Sequence, residues 1–196
     1  LAYEEAVRYA NERAQFGKPI VHFPAVYQML TDMQAEIETT RLLLYHTSLA
    51  VDHMDMYERK AEHGENVREQ LKIWTAKADF LTPLTKFTAT EMANKTAYDA
   101  VQIHGGCGFM KDVKVERLSR DARITDIYEG TTQLQVVAAI PRITSGRFKD
   151  MVTELLSSEE LKSLEITKQI LESVEKVMKS VEIIKANPDK DMLDYT

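Results

Sequence analysis

The stretch FPAVYQMLTDMQAEIETTRLLLYHTSLAV, residues 23–51, decides the fold. Val26, Leu30, Met33, Ile37, Thr40 and Leu44 step by four and three, and Val51 continues the stripe. That period is one face of an α-helix. Pro24 stands at a first-turn position, where its missing N–H is no loss. A helix of ~30 residues is ~45 Å long at 1.5 Å per residue. Such a length is typical of a helical bundle.

Upstream, residues 2 to 16 read as a helix stopped by Gly17, Lys18 and Pro19. Downstream, the charged segment from Tyr57 to Asn66 reads as a loop between antiparallel neighbours. Val67, Leu71, Trp74, Ala78 and Leu81 then repeat the helical spacing. Pro83 interrupts it and is expected to bend or break the helix. Leu84, Phe87, Met92, Ala97 and Val101 resume the stripe, and Gly105, Gly106 and Gly108 end it. A short helix is expected from Val115 to Ala122, and a last bundle helix from Thr132 to Ser145 with Gly146 as its stop. The tail differs, with seven Lys against eleven Asp and Glu after residue 148. There Ile170, Val174, Val177, Val181 and Ile184 form a helical stripe, which predicts one docked amphipathic helix ended by Asn187-Pro188-Asp189.

The expected fold is therefore all-α: an antiparallel up-and-down four-helix bundle over residues 1–148. Residues 149–196 add an acidic amphipathic helical extension. Hydrophobic residues make up 44% and charged residues 29% of the 196, an ordinary globular balance. The net charge of −6 and the lack of a basic run argue against nucleic acid as partner. No apolar run is long enough to span a membrane. The single cysteine, Cys107, excludes an internal disulfide framework. No histidine follows a Glu by three residues, so the di-iron ligand pattern of four-helix bundles is missing and no metal is expected.

Three stretches could carry chemistry. In Asp126-Ile127-Tyr128-Glu129-Gly130-Thr131-Thr132-Gln133, Gly130 marks a turn and Thr131 can cap the next helix. A carboxylate at Glu129 suits a general base, and equally an acidic residue favoured by a helix dipole. In Gln102 to Phe109 the glycines allow close approach of backbone N–H groups to a phosphate, or simply cap a helix. Arg13 could hold a phosphate with its planar fork, or sit as a cation near a helix C-terminus.

Taken together and in order, Arg13-Ala14-Gln15-Phe16-Gly17-Lys18-Pro19, Gln102-Ile103-His104-Gly105-Gly106-Cys107-Gly108-Phe109 and Ile127-Tyr128-Glu129-Gly130-Thr131-Thr132-Gln133 resemble signatures of the acyl-CoA dehydrogenases. The likeness covers roughly residues 1 to 148 and implies the C-terminal helical domain of that family. It implies FAD as cofactor, held by Arg13, Gln15, Phe16, Gln102, Gly105 and Gly106 across a subunit interface and by Thr131 and Gln133 within the subunit. It implies Glu129 as the base that takes the α-proton of an acyl-CoA thioester. The Glu129 N–H then donates to the thioester carbonyl, the β-hydrogen leaves as hydride to flavin N5, and Tyr128 and Gly130 line the acyl end. A base sealed in such an apolar pocket would gain strength by desolvation. His104 and Cys107 receive no role beyond packing. Pro141 stands about where many members carry Arg, and a bend is expected there.

The resemblance further implies a homodimer or homotetramer, an electron-transfer flavoprotein as acceptor, and a bacterial cytoplasm rather than the mitochondrial matrix. An acyl-CoA oxidase, or a non-catalytic scaffold with the family fold, are the alternatives. Leu1 is not Met, and the text opens inside a helical pattern. The chain is accordingly expected to be a fragment that lacks the flavin and is inactive alone.

Overall fold

The computed structural model describes residues 1–157, 161 and 164–186. The chain is all-α. Its contacts divide it into two compact units, Leu1–Thr132 and Gln133–Thr196.

The first unit is built on α1 (Ala2–Glu12), α2 (Pro24–Glu62), α3 (Arg68–His104) and α4 (Lys114–Arg123). Pro24 opens α2 at its first turn, as its fixed φ predicts. The hydroxyls of Thr47 and Thr85 lie 2.5 Å apart, His53 stacks on Trp74 at 4.1 Å, and Lys95 Nζ donates to Glu36 at 2.9 Å. Partners move toward the α3 C-terminus as they move toward the α2 N-terminus, so α2 and α3 are antiparallel. Met33, Leu30, Ala6, Ala10, Ile20, Ala100, Ile103 and Val115 are buried together. Three of these are alanines, which lets α1 lie close on α3. Glu5 joins α1 to α4 by accepting from Lys114 at 3.0 Å, and it also pairs with Arg8 at 2.7 Å. The bonds from Arg8 and then Lys114 hold its carboxyl down to about 2. That linkage is complete above the usual carboxylate pKa and is lost as pH falls toward 2.

Several expectations are corrected. The first helix ends at Glu12, and Arg13 is already extended (φ −77, ψ 116). Ala14–Gln15 (β1) pairs antiparallel with Lys18–Pro19 (β2) around Phe16 (φ +50) and Gly17 (φ +81). Two successive left-handed residues turn the chain there, a demand that helical spacing does not reveal. The 57–66 loop shrinks, because the charged residues to Glu62 form a solvated helical face and Gly64 (φ +83) turns the chain. Pro83 lies buried inside an unbroken α3, among the buried residues Ala78, Phe80, Leu81 and Thr85. Packing on both sides outweighs its missing donor. Leu44 is 48% exposed, and Thr47 and Ala50 occupy the buried stripe instead. The buried face runs through Met33, Thr40 and Thr47, while the row that begins at Leu30 turns outward by Leu44. A straight helix drifts by ~20° per heptad, so one row of a four-three count leaves the core after two repeats.

The second unit carries α5 (Thr132–Thr144), α6 (Arg147–Leu155) and α7 (Glu165–Ala186). Pro141 lies inside α5, which continues to Thr144, and Gly146 (φ +88) separates it from α6. The tail holds two described helices rather than one. Ser157 Oγ donates back to the Glu154 carbonyl at 2.6 Å, a local bond that competes with helix continuation. The predicted stripe lies in α7, where Val181 is 2% exposed, Val174, Val177 and Ile184 are half-buried, and Ile170 is 38% exposed. Asn187-Pro188-Asp189 lie outside the described residues. Because Val181 is the stripe's buried centre, Val181→Asp should unfold the second unit at lower temperature. The expected loss is at least the ~1.5–3 kcal/mol of a buried aliphatic side chain. A thermal scan that leaves the melting profile unaltered would refute this packing.

Candidate functional site

The chain leaves α4 through the 3₁₀ turn Ile124–Asp126 and crosses residues 127–131 before α5. Glu129 has φ +55 and Gly130 φ +93. A left-handed glutamate costs backbone energy and persists only where its surroundings impose it. One face of α3 imposes it here. Lys86 Nζ donates to the carbonyls of Thr125 (3.1 Å), Tyr128 (2.9 Å) and Gly130 (2.6 Å). Its ammonium also stands 5.7 Å from the centre of the Tyr128 ring. Asn94 Nδ2 donates to the Ala122 carbonyl at 3.0 Å, and Thr125 Oγ1 donates to the same carbonyl at 2.6 Å. Thr132 Oγ1 donates to Glu91 at 2.9 Å. Glu129 itself is exposed. The apolar enclosure expected for it is therefore not formed by this chain's own first unit.

Lys86, Glu91 and Asn94 escaped sequence reasoning. Their signal is a polar register inside the otherwise core-facing span of α3, and it has no meaning until the loop lies against it.

A second cluster forms at the far end of α3. Tyr9 stacks on His104 at 4.2 Å, which packs the last turn of α1 against the C-terminal end of α3. Burial first, and then the bond to the Cys107 thiol, push the Tyr9 phenol up. His104 is buried, and its Nδ1 lies 2.7 Å from the Ala100 carbonyl, consistent with a packing role. Cys107 is exposed, not packed as expected, on the outer side of the 3₁₀ turn Gly105–Phe109 whose buried residue is Gly108. Gly108 admits no larger residue: an added Cβ would stand 2.7 Å from the Val101 carbonyl oxygen. With its amide oxygen toward the guanidinium, Gln15 accepts from Arg13 Nη2 at 2.8 Å. Phe16 is 93% exposed and Gln102, Gly105 and Gly106 are exposed. A guanidinium, an amide, open glycine backbone and a bare aromatic ring are a donor set suited to a dinucleotide's phosphates and ring systems.

The two clusters do not meet within the first unit. Lys86 marks one and Gln102 the other, ~24 Å apart along α3 at 1.5 Å per residue. Thr131 closes the first unit's loop, and Gln133 opens the second unit. Among the described residues no three His, Cys, Asp or Glu side chains gather as metal ligands. No described helix is long and apolar enough to cross a membrane.

Residues 1–142 match the family model described as "Acyl-CoA dehydrogenase, C-terminal domain". Among curated proteins, an acyl-CoA dehydrogenase of Bacillus subtilis is 40% identical over 134 residues, 68% of this chain and 30% of that protein. The caffeyl-CoA reductase-Etf complex subunit CarC of Acetobacterium woodii is 38% identical over the same shares. Among solved structures, the acyl-CoA dehydrogenase complexed with FAD from Bacillus anthracis matches with a TM-score of 0.62 and 30% identity, over 81% of this chain and 28% of that one. The chain thus spans about 30% of the length of the curated relatives it matches. With the matched span running from α1 into α5, and the Glu129 loop and the Arg13 hairpin both inside it, the chain belongs to the acyl-CoA dehydrogenase family through its C-terminal helical domain.

Proposed function

We propose that this chain is the C-terminal part of an FAD-dependent acyl-CoA dehydrogenase, with Glu129 as the base that takes the α-proton of an acyl-CoA thioester. The observation that carries this reading is the strained Glu129–Gly130 backbone held against α3. Strain of that kind at a polar side chain points to function rather than to folding. The Glu129 N–H stands against the thioester carbonyl oxygen, where it stabilises the charge developed on proton removal. Tyr128 and Gly130 line the acyl end. Bound FAD would supply the hydride acceptor for the β-hydrogen.

The ~24 Å between clusters supports a site shared between subunits. Arg13, Gln15, Phe16, Gln102, Gly105 and Gly106 of one subunit complete the site that Thr131 and Gln133 of another begin. A homodimer or homotetramer follows. Leu42, Tyr45 and Leu49, at 65%, 63% and 50% exposure on one face of α2, fit such contacts. An electron-transfer flavoprotein is the proposed acceptor, supported by the Etf complex named for the Acetobacterium relative. A bacterial cytoplasm is the proposed location. Residues 1–148 form the bundle domain and residues 149–196 an extension of it. The 196-residue chain alone carries half of each site and should purify colourless.

Anaerobic titration of the flavin-loaded full-length protein with a panel of acyl-CoA thioesters tests the reading. At least one thioester should bleach the visible flavin band, and an electron-transfer flavoprotein should restore it faster than oxygen. Rapid reoxidation by oxygen would make the protein an oxidase. No bleaching by any thioester would leave a scaffold. A stoichiometric flavin band on the monomeric 196-residue chain would contradict the shared site.

A further inference from the structure

We propose that Lys86 is a positioning residue for Glu129, aiming the peptide that carries the Glu129 N–H and holding the backbone on which the carboxylate rides. The inference rests on the reading of Glu129 as base.

A lysine ammonium has three donors and no acceptor. Lys86 directs its donors at three carbonyls of one short loop, those of Thr125, Tyr128 and Gly130. Three converging peptide dipoles therefore face its charge. Half-buried lysines ordinarily extend their heads to water. Here the head is turned inward over 39 to 44 residues of sequence separation.

The carbonyls of Tyr128 and Gly130 bracket the Glu129–Gly130 pair. In a planar trans peptide the N–H points opposite to the C=O of the same unit. The Tyr128 carbonyl shares its unit with the Glu129 N–H. Drawing that carbonyl to Lys86 therefore aims the Glu129 N–H away from α3. The Gly130 carbonyl does the same for the Thr131 N–H. A cation on the carbonyl also polarises the unit and strengthens its N–H as a donor. With the unit before Glu129 and the unit after Gly130 both anchored, the two left-handed residues between them, Glu129 (φ +55) and Gly130 (φ +93), are confined. The Lys86 contact thus acts on both parts that the reaction asks of residue 129: the direction of its N–H and the place of its carboxylate.

Neither part requires Lys86 to touch substrate or cofactor. The test compares wild type, Lys86→Met and Glu129→Gln in the flavin-loaded full-length protein. Lys86→Met keeps the stem and removes the charge. Flavin content and acyl-CoA affinity are expected to hold within about threefold, while the rate of flavin reduction falls about 10- to 100-fold, the scale of a misaimed group or a lost oxyanion donor. Amide exchange at Glu129 and Thr131 is expected to quicken at least about tenfold. In a Cys107→Ala background, Lys86→Cys alkylated with 2-bromoethylamine rebuilds the ammonium and should restore most of the rate. The alkylation also covers the case in which Lys86→Met fails to fold, since the same polypeptide is measured before and after.

Unchanged amide exchange, an unchanged reduction rate, or alkylation without recovery would each overturn the role of Lys86. A parallel fall in flavin content and acyl-CoA affinity would reduce it to a structural contact and overturn the proposal as well. Quickened exchange together with normal flavin reduction by Glu129→Gln marks a different failure: the loop is held by Lys86, but the base lies elsewhere.

Discussion

Flavin reduction by acyl-CoA should fall ~10²–10⁴-fold in Glu129→Gln, the loss expected when a general base is removed. Gln keeps the size of Glu and a hydrogen-bonding oxygen, but it cannot accept the α-proton. Residue 129 is exposed in this chain, so the substitution should not disturb folding. The φ of +55 is no harder for Gln than for Glu. Binding of FAD and of acyl-CoA should therefore survive. Stopped-flow reduction of the full-length protein at saturating thioester separates the step from binding. A wild-type rate in this variant would place the base on another residue.

Met33→Ala should destabilise the first unit by about 2–5 kcal/mol. Met33 is fully buried and meets the core formed by α1, α3 and α4. Truncation removes apolar contact and leaves a cavity among alanines too short to fill it. For a chain of this size each 1 kcal/mol moves Tm by about 2–4 °C. The transition of the first unit should fall by at least about 4 °C, read by calorimetry, while that of the second unit stays where it is. A common shift of both transitions would mean that the units unfold together. An unchanged first transition would show that the core does not depend on Met33.

Most elements were legible because the signals that specify them are local. Pro24 at a first turn, the stripe from Leu30 to Thr40 and the glycines at 105 and 146 each carry their own physical reason. The misreadings share one cause. Pro83 reads as a break, yet buried neighbours on both sides hold α3 whole. The charged run to Glu62 reads as a loop, yet it is the wet face of α2. Arg13 reads as helical, yet the left-handed pair Phe16 and Gly17 folds the chain back at once. In each case packing or a turn outweighed a weak local preference.

By itself the sequence determined that the protein is helical, where α2 begins and where α4 runs, because a period of ~3.6 is written within each segment. It also determined which residues belong to the Arg13, Gln102 and Glu129 motifs, because each motif is contiguous. Only the tertiary structure decided that the end of α1 packs on the end of α3 and that the Glu129 loop is anchored by Lys86, ~24 Å of helix from Gln102. Only the tertiary structure gave Lys86, Glu91 and Asn94 their partners. Those hydrogen bonds join residues that helical spacing cannot relate, so no pattern along the chain contains them until α3 and the loop are packed side by side.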